Sequence, residues 1–414
     1  MMQSTARRAA PIAAAVLAAA VAILPGCSGA PSRATPAVTG RYTFWPALPT
    51  EPRIQFVSGY AFAEDVQDPS SRKGLERILL GEQSEQDTSI QKPYGVAALN
   101  GRIYVCDIRA GGVVILDLAR RQARLIGMTG SQRMILPVDV AASPDGEIFV
   151  ADKSRGAVLV YGPDERFRRA LEHPRFQPVS VAVFGDRVYV ADMLSQKIEV
   201  LHRDTGELLS TIGSVGDEDG QFRLPLGVEV DPDGNIYVVD MMRCRMQVFD
   251  PEGRLVNAVG QLGDTGGNFV RPKHVAVDDD GIAYVVDAAF NNVQMFDARQ
   301  QLLMHFGGPG GFPGAMDLPA GITVLEGGVE HFKNLIHPGF DARRLVIVTN
   351  QFGNSKVAIY AFGGRRPEWS IEEMRKSAQE FDDGTGDGPL LPGADPLPDD
   401  APAEPETPAP TPER

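Results

Sequence analysis

Residues 225–250 read P-L-G-V-E-V-D-P-D-G-N-I-Y-V-V-D-M-M-R-C-R-M-Q-V-F-D. Val228 and Val230 alternate with other positions, the period of a half-buried strand. Asp231-Pro232-Asp233-Gly234 is a hairpin turn, because proline presets one dihedral and glycine accepts a positive φ. Ile236–Val239 forms the next strand and Met246–Phe249 a third. Asp250-Pro251-Glu252-Gly253 turns the chain again, and Leu255–Val259 is the fourth strand. Four short antiparallel strands in sequence make one blade of a radial array.

The same phrase recurs along the chain. Its opening prolines are Pro93, Pro137, Pro178, Pro225, Pro272 and Pro319, at steps of 44, 41, 47, 47 and 47 residues. A fixed period of this size, with several strands per period, predicts an all-β fold: a six-bladed β-propeller of four-stranded antiparallel blades over residues 53–362. The last repeat ends near Tyr360 without an evident fourth strand, while Arg53–Gly59 looks like an outer strand with no repeat before it. Pairing the two closes the ring and removes two sheet edges.

Short peripheral helices are also expected. Leu75, Ile78 and Leu79 share one face of a helix over Ser70–Leu80 that Gly81 stops. The sixth repeat takes 31 residues from Pro319 to Asn350 where the others take 14 or 15, and its insert carries Val329, Phe332, Lys333 and Ile336 at helical spacing. Ser370-Ile-Glu-Glu373 is a capping box for a helix within 363–381, with Trp369, Met374 or Phe381 set to meet the propeller rim. Phe306–Gly314 is glycine-rich but lacks the Gly-Lys-Ser/Thr of a phosphate loop, so it reads as an exposed, mobile loop.

The ends differ in composition from the repeats. Arg7 and Arg8 precede an apolar, alanine-rich run to Pro25, and Leu24-Pro25-Gly26-Cys27 ends it with small residues and a cysteine. Residues 1–27 therefore read as an export signal. Residues 28–52, rich in Pro, Ser, Ala and Thr, read as a flexible tether. From residue 380 to 414 there are ten acidic residues and one basic, so −9 of the formal −14 sits in the tail, and 382–414 is expected to be disordered. No basic stripe argues for nucleic acid. Cys106 and Cys244 fall in the first and fourth repeats and read as small buried residues. No Cys-x-x-Cys-His is present to attach a c-type haem.

Blades share most residues, so function is sought where they differ. The repeat aspartates Asp107, Asp152, Asp192, Asp240 and Asp287 recur and are expected to shape turns by accepting backbone N–H groups. The residues after each opening proline should ring the channel mouth: Tyr94, Val138, Val179, Leu226, Lys273 and Ala320, then Gly95, Asp139, Ser180, Gly227, His274 and Gly321. One histidine is too few for a zinc site, so neither metal nor cofactor is expected. Asp139 and His274 are an acid–base couple, but they belong to opposite blades and are expected to stay apart. The other histidines, His173, His202, His305, His331 and His337, are expected at the surface. Arg109, Arg155, Met193, Met241, Met242, Arg243, Phe290 and Phe352 follow the repeat aspartates and are of the types enriched in interface cores.

Three resemblances add to this reading. Gly213-Ser-Val-Gly216-Asp-Glu-Asp-Gly220-Gln221-Phe222 and Gly260-Gln-Leu-Gly263-Asp-Thr-Gly266-Gly267-Asn268-Phe269 resemble the loops of the NHL-repeat family, six-bladed propellers related in shape to TolB-like proteins. Leu24–Cys27 resembles a bacterial lipobox, which implies lipidation of Cys27; by the same resemblance Ser28 favours the outer membrane. The first-blade helix, Lys273-His274 and the sixth-blade insert are similar to an envelope subgroup of such lipoproteins often found with multihaem cytochrome systems. The resemblance implies a lipid-tethered propeller scaffold whose loop face holds an envelope protein or peptide, such as a multihaem cytochrome or porin. The alternative is a hydrolase or lyase acting at the channel mouth.

Overall fold

The computed structural model describes residues 42–66, 90–130 and 133–380. The stretch read as an export signal with Cys27, the helix expected over Ser70–Leu80, Phe381 and the acidic tail lie outside the described residues. Six antiparallel sheets of four or five strands form the blades. In blade 4 the strands are Pro225–Val230, Ile236–Asp240, Arg245–Phe249 and Leu255–Val259, from the inside outward. The other inner strands are Pro93–Leu99, Pro137–Ala142, Pro178–Phe184, Pro272–Val277 and Pro319–Glu326, each opened by its repeat proline. Proline is tolerated there because it is the first residue of the strand.

Ring closure follows the expected pairing. Ile54–Tyr60 lies against Val357–Arg365, with Ile54 opposite Phe362 and Tyr60 opposite Val357. Residues 42–52 do not follow the expected flexible tether: Phe44–Trp45 adds a fifth strand to blade 6, pairing with Gln55 and Ile54. Apolar rings hold it there, since Trp45 packs on Phe306, Phe312 and Tyr360.

The core is not central but divided among the junctions between blades. Tyr104, Val113 and Ile115 of blade 1 pack on Val140, Ile148 and Leu159 of blade 2. Equivalent clusters fill the other five junctions, so every blade is held on both faces. Cys106 and Cys244 are free and buried within these layers.

The sixth-blade insert departs from the expected helix. Val329–Phe332 is a single 3-10 turn, after which Phe340–Asn350 extends the second strand to 11 residues. Phe332 and Ile336 are buried as their spacing suggested. The capping box forms as read: Ser370 Oγ accepts from Glu373 N at 3.1 Å, and Glu373 Oε2 accepts from Ser370 N at 2.7 Å. It opens the helix Ile371–Glu380, whose Met374 is fully buried beside the partly buried Trp369. The glycine-rich stretch is stapled down, because Gly314 O accepts from the Tyr360 hydroxyl at 2.9 Å and Phe312 meets Trp45. His337 is buried rather than exposed, enclosed by Tyr42, Phe44 and Trp369, and burial pulls its imidazole down to about 4.

Candidate functional site: the loop face and the channel mouth

Strand alternation fixes two faces. Hairpins between first and second strands, and between third and fourth, lie on one side. Loops after the repeat aspartates, and the connections between blades, lie on the other. The aspartates tie these two loop sets together. Asp107 accepts from Gln91 N at 2.6 Å and Lys92 N at 3.1 Å in one loop, and from Arg109 N and Ala110 N at 3.0 Å in the other. Asp287 does the same for Val270, Arg271 and Ala289. Gln247 and Gln294 fix the connections into blades 4 and 5, taking Gly220 N at 2.7 Å and Gly267 N at 2.8 Å. The loop face is therefore a set of pinned loops, suited to presenting side chains in fixed places.

What those loops present is partly apolar. Met242 is 65% exposed and Phe352 52%, with Arg109 and Arg243 exposed beside them. Met193, Met241, Arg155 and Phe290 are half-buried, and Met193 packs on the Val179–Val228 cluster. Ile135, Leu194 and Leu262 are also exposed on this face, Leu262 at 71%. Sequence reasoning missed these three because it followed only part of each aspartate loop and none of the connections. Leu194 stands two residues after Asp192, as Met242 does after Asp240, and that register was the available signal.

At the axis the structure corrects one expectation. Asp139 and His274 meet: His274 Nε2 lies 3.2 Å from Asp139 Oδ2. Two features bring them together. Each inner strand slips register within three residues of its proline, a bulge that re-aims the next side chains. The equivalent positions in blades 1, 4 and 6 are glycines. A Cβ at Gly95 would stand 2.2 Å from Asp139 Oδ1, and one at Gly227 2.8 Å from His274 Cα. Asp139 Oδ2 also accepts from Ser180 Oγ at 2.6 Å and Val181 N at 3.0 Å, and Ser180 Oγ accepts from Val228 N at 3.1 Å. Blades 2, 3, 4 and 5 are thus joined by one polar bridge across the axis.

Asp139 is 1% and His274 7% exposed, so neither belongs to the accessible loop face. Burial pushes the His274 imidazole down, but Asp139 and Glu229 outweigh it and its pKa rises. Glu229 stands two positions further along the inner strand of blade 4, partly exposed. Burial drives its carboxyl up to about 7; the Val230 N–H and His274 oppose this and Asp139 adds to it. Asp139 Oδ1 and His274 Nδ1 are buried without a hydrogen-bond partner.

Above the bridge, Lys273 reaches over the Tyr94 ring, its Nζ 5.3 Å from the centroid. Burial pulls the ammonium down to about 8, with Arg271 and Lys92 adding to the effect. Tyr94 is pushed up to about 12 by burial and by Asp139.

Comparison with known proteins supports the architecture. A family model described as a 6-bladed beta-propeller matches residues 226–305. The E3 ubiquitin-protein ligase TRIM71 of Gallus gallus is 32% identical over 124 residues, covering 28% of this chain; the chain spans only 13% of that relative's length. A solved protein of unknown function from Bacteroides thetaiotaomicron is 13% identical, with a TM-score of 0.53, over 75% of both chains. Virginiamycin B lyase from Staphylococcus aureus is 9% identical, with a TM-score of 0.46, over 66% of this chain and 96% of the lyase. These likenesses concern the fold.

Proposed function

We propose that this protein is a non-catalytic binding scaffold of NHL type, tethered to the cell envelope, that holds a protein or peptide partner on its loop face. One observation carries the reading. Among the described residues, the large exposed apolar side chains gather on the loop face or the outer strands, and the hairpin face offers only Phe184. Methionine, arginine and aromatic side chains on pinned loops are the material of interface anchors. The anchor is Cys27, lipidated at the end of the Leu24–Cys27 stretch, with the residues after it as the tether, and an envelope protein such as a multihaem cytochrome or porin is the class of partner. Replacing Met242 and Arg243 together with alanine is expected to abolish capture of the partner from envelope extracts while leaving the melt in place. Capture equal to wild type would place the interface elsewhere. Cys27→Ser is expected to move the full chain from the membrane to the soluble fraction; unchanged partition would remove the anchor from this account.

A hydrolase or lyase is the second reading, and the Asp139–His274 contact favours it. A carboxylate and an imidazole 3.2 Å apart are equipped to pass a proton. Turnover of an ester, lactone or hydroxylated peptide that disappears in His274→Ala would put this reading first.

A further inference from the structure

At the channel mouth Lys273 has two further cations near it and, among the described residues, no carboxylate counter-charge. Lys273 is 8% exposed, and Lys92 and Arg271 stand close enough to disfavour its charge. Among the described residues no carboxylate pairs with any of the three. A buried ammonium without an acid beside it is costly in any fold. Arginines elsewhere find partners: Arg223 and Arg243 both reach Asp217 on this same face. The arrangement therefore lacks an anion that the described residues do not supply.

The surroundings say which anion. Phosphate and sulfate sites rely on several converging N–H donors. Here the N–H groups of Gln91, Lys92, Val270 and Arg271 are already taken by Asp107 and Asp287. What remains is one ammonium, two flanking cations and an apolar ring in which Tyr94 and Leu226 are partly buried. The polar bridge of Asp139 and His274 closes the floor. A single charge on an apolar body satisfies these conditions.

We propose that the channel mouth binds a carboxylate carried on an apolar group, with the Lys273 ammonium as its counter-charge and Tyr94 and Leu226 receiving the apolar body. Resting on the loop-face reading, the source is the C-terminal residue of the bound partner; a free aromatic or aliphatic acid presents the same chemistry.

Calorimetry on the full chain with N-acetyl-phenylalanine and its amide tests this, beside a short peptide ending in phenylalanine in free and amidated forms. The acids are expected to bind and the amides to bind about tenfold or more weaker, since each amide lacks the charge. Lys273→Met is expected to remove that preference. A peptide tighter than the small acid identifies a chain terminus as the source; equal affinities identify the small acid. In the wild-type chain, which needs no variant to fold, the acid is expected to protect Lys273 from acetylation by acetic anhydride, read by mass spectrometry. Acid and amide bound alike, neither bound, or Lys273 acetylated at an unaltered rate overturns the pocket. Loss of partner capture in the Met242/Arg243 variant would then still stand, so the two readings fail separately.

Discussion

The two faces of the ring are built from the same repeat and solve opposite problems. On the hairpin face each turn closes on itself. Asp231, Asp250, Asp278 and Asp297 accept N–H groups two and four residues on. Its arginines stitch neighbouring blades: Arg203 to Glu147 at 2.8 Å, Arg102 to Glu165 at 3.4 Å, and Arg344 to Asp278 at 2.5 Å. The loop face also satisfies its backbone through aspartates, yet it leaves Met242, Leu262 and Phe352 in solvent and, among the described residues, Lys273 without an acid. A face whose charges and turns are satisfied within the chain serves stability. On the proposed function, a face with rigid loops and unsatisfied side chains is the one offered to a second molecule.

That contrast predicts where substitutions hurt. The largest effect is expected on the hairpin face. Arg344→Leu leaves the buried Asp278 carboxylate without its cationic partner and should cost about 3 kcal/mol in a denaturant melt. A cost below about 1 kcal/mol would mean that the stitching is ornamental and the contrast overstated.

Glu229 is expected to give the next largest effect, through pH. Its folded pKa, about 7, lies above the ordinary 4.5, so the native state holds the proton longer than the unfolded chain. Stability from this group is intact below about pH 4.5 and is lost as pH rises through 7. His274, also raised, works in the same direction at higher pH, whereas His337, lowered to about 4, works in the opposite one between 4 and 6.5. The difference between wild type and Glu229→Gln isolates the carboxyl. It should grow by about 2–3 kcal/mol in favour of the variant between pH 5 and 8. A difference that is flat with pH would place Glu229 in ordinary solvent.

Lys273 carries the opposite sign. Its folded pKa, about 8, lies below the ordinary 10.5, so its cost is full below pH 8 and relieved as pH rises toward 10.5. After allowing for the lost contact with Tyr94, Lys273→Met should stabilise the chain by about 1–2 kcal/mol at pH 7 and by less near pH 10. Destabilisation at pH 7 would show that the lysine belongs to the scaffold. Smallest of all, Met242→Ala with Arg243→Ala should shift the melt by less than about 0.5 kcal/mol.

The repeat made the scaffold legible. Six prolines at near-constant spacing, the turn chemistry of Asp231–Gly234 and the capping box at Ser370 each state a local rule that the structure follows. Residues 42–52 were harder, because Phe44 and Trp45 join blade 6 through packing rather than pattern. The axis was least legible. Asp139 and His274 are 135 residues apart and belong to opposite blades; they touch because bulges turn them inward and Gly95 and Gly227 leave room. Those glycines carry the information, but only once the ring is closed. Exposure of Leu194 and Leu262 likewise depends on which face a loop joins, a property of topology rather than of composition.

Site-specific photo-crosslinking in cells tests the central claim most directly. A photoreactive residue would replace Met242 or Phe352 on the loop face, and Asp233 or Glu252 on the hairpin face. The contrast between the faces predicts a discrete adduct from positions 242 and 352 and none from 233 and 252. Adducts from the hairpin positions, with none from the loop face, would contradict it.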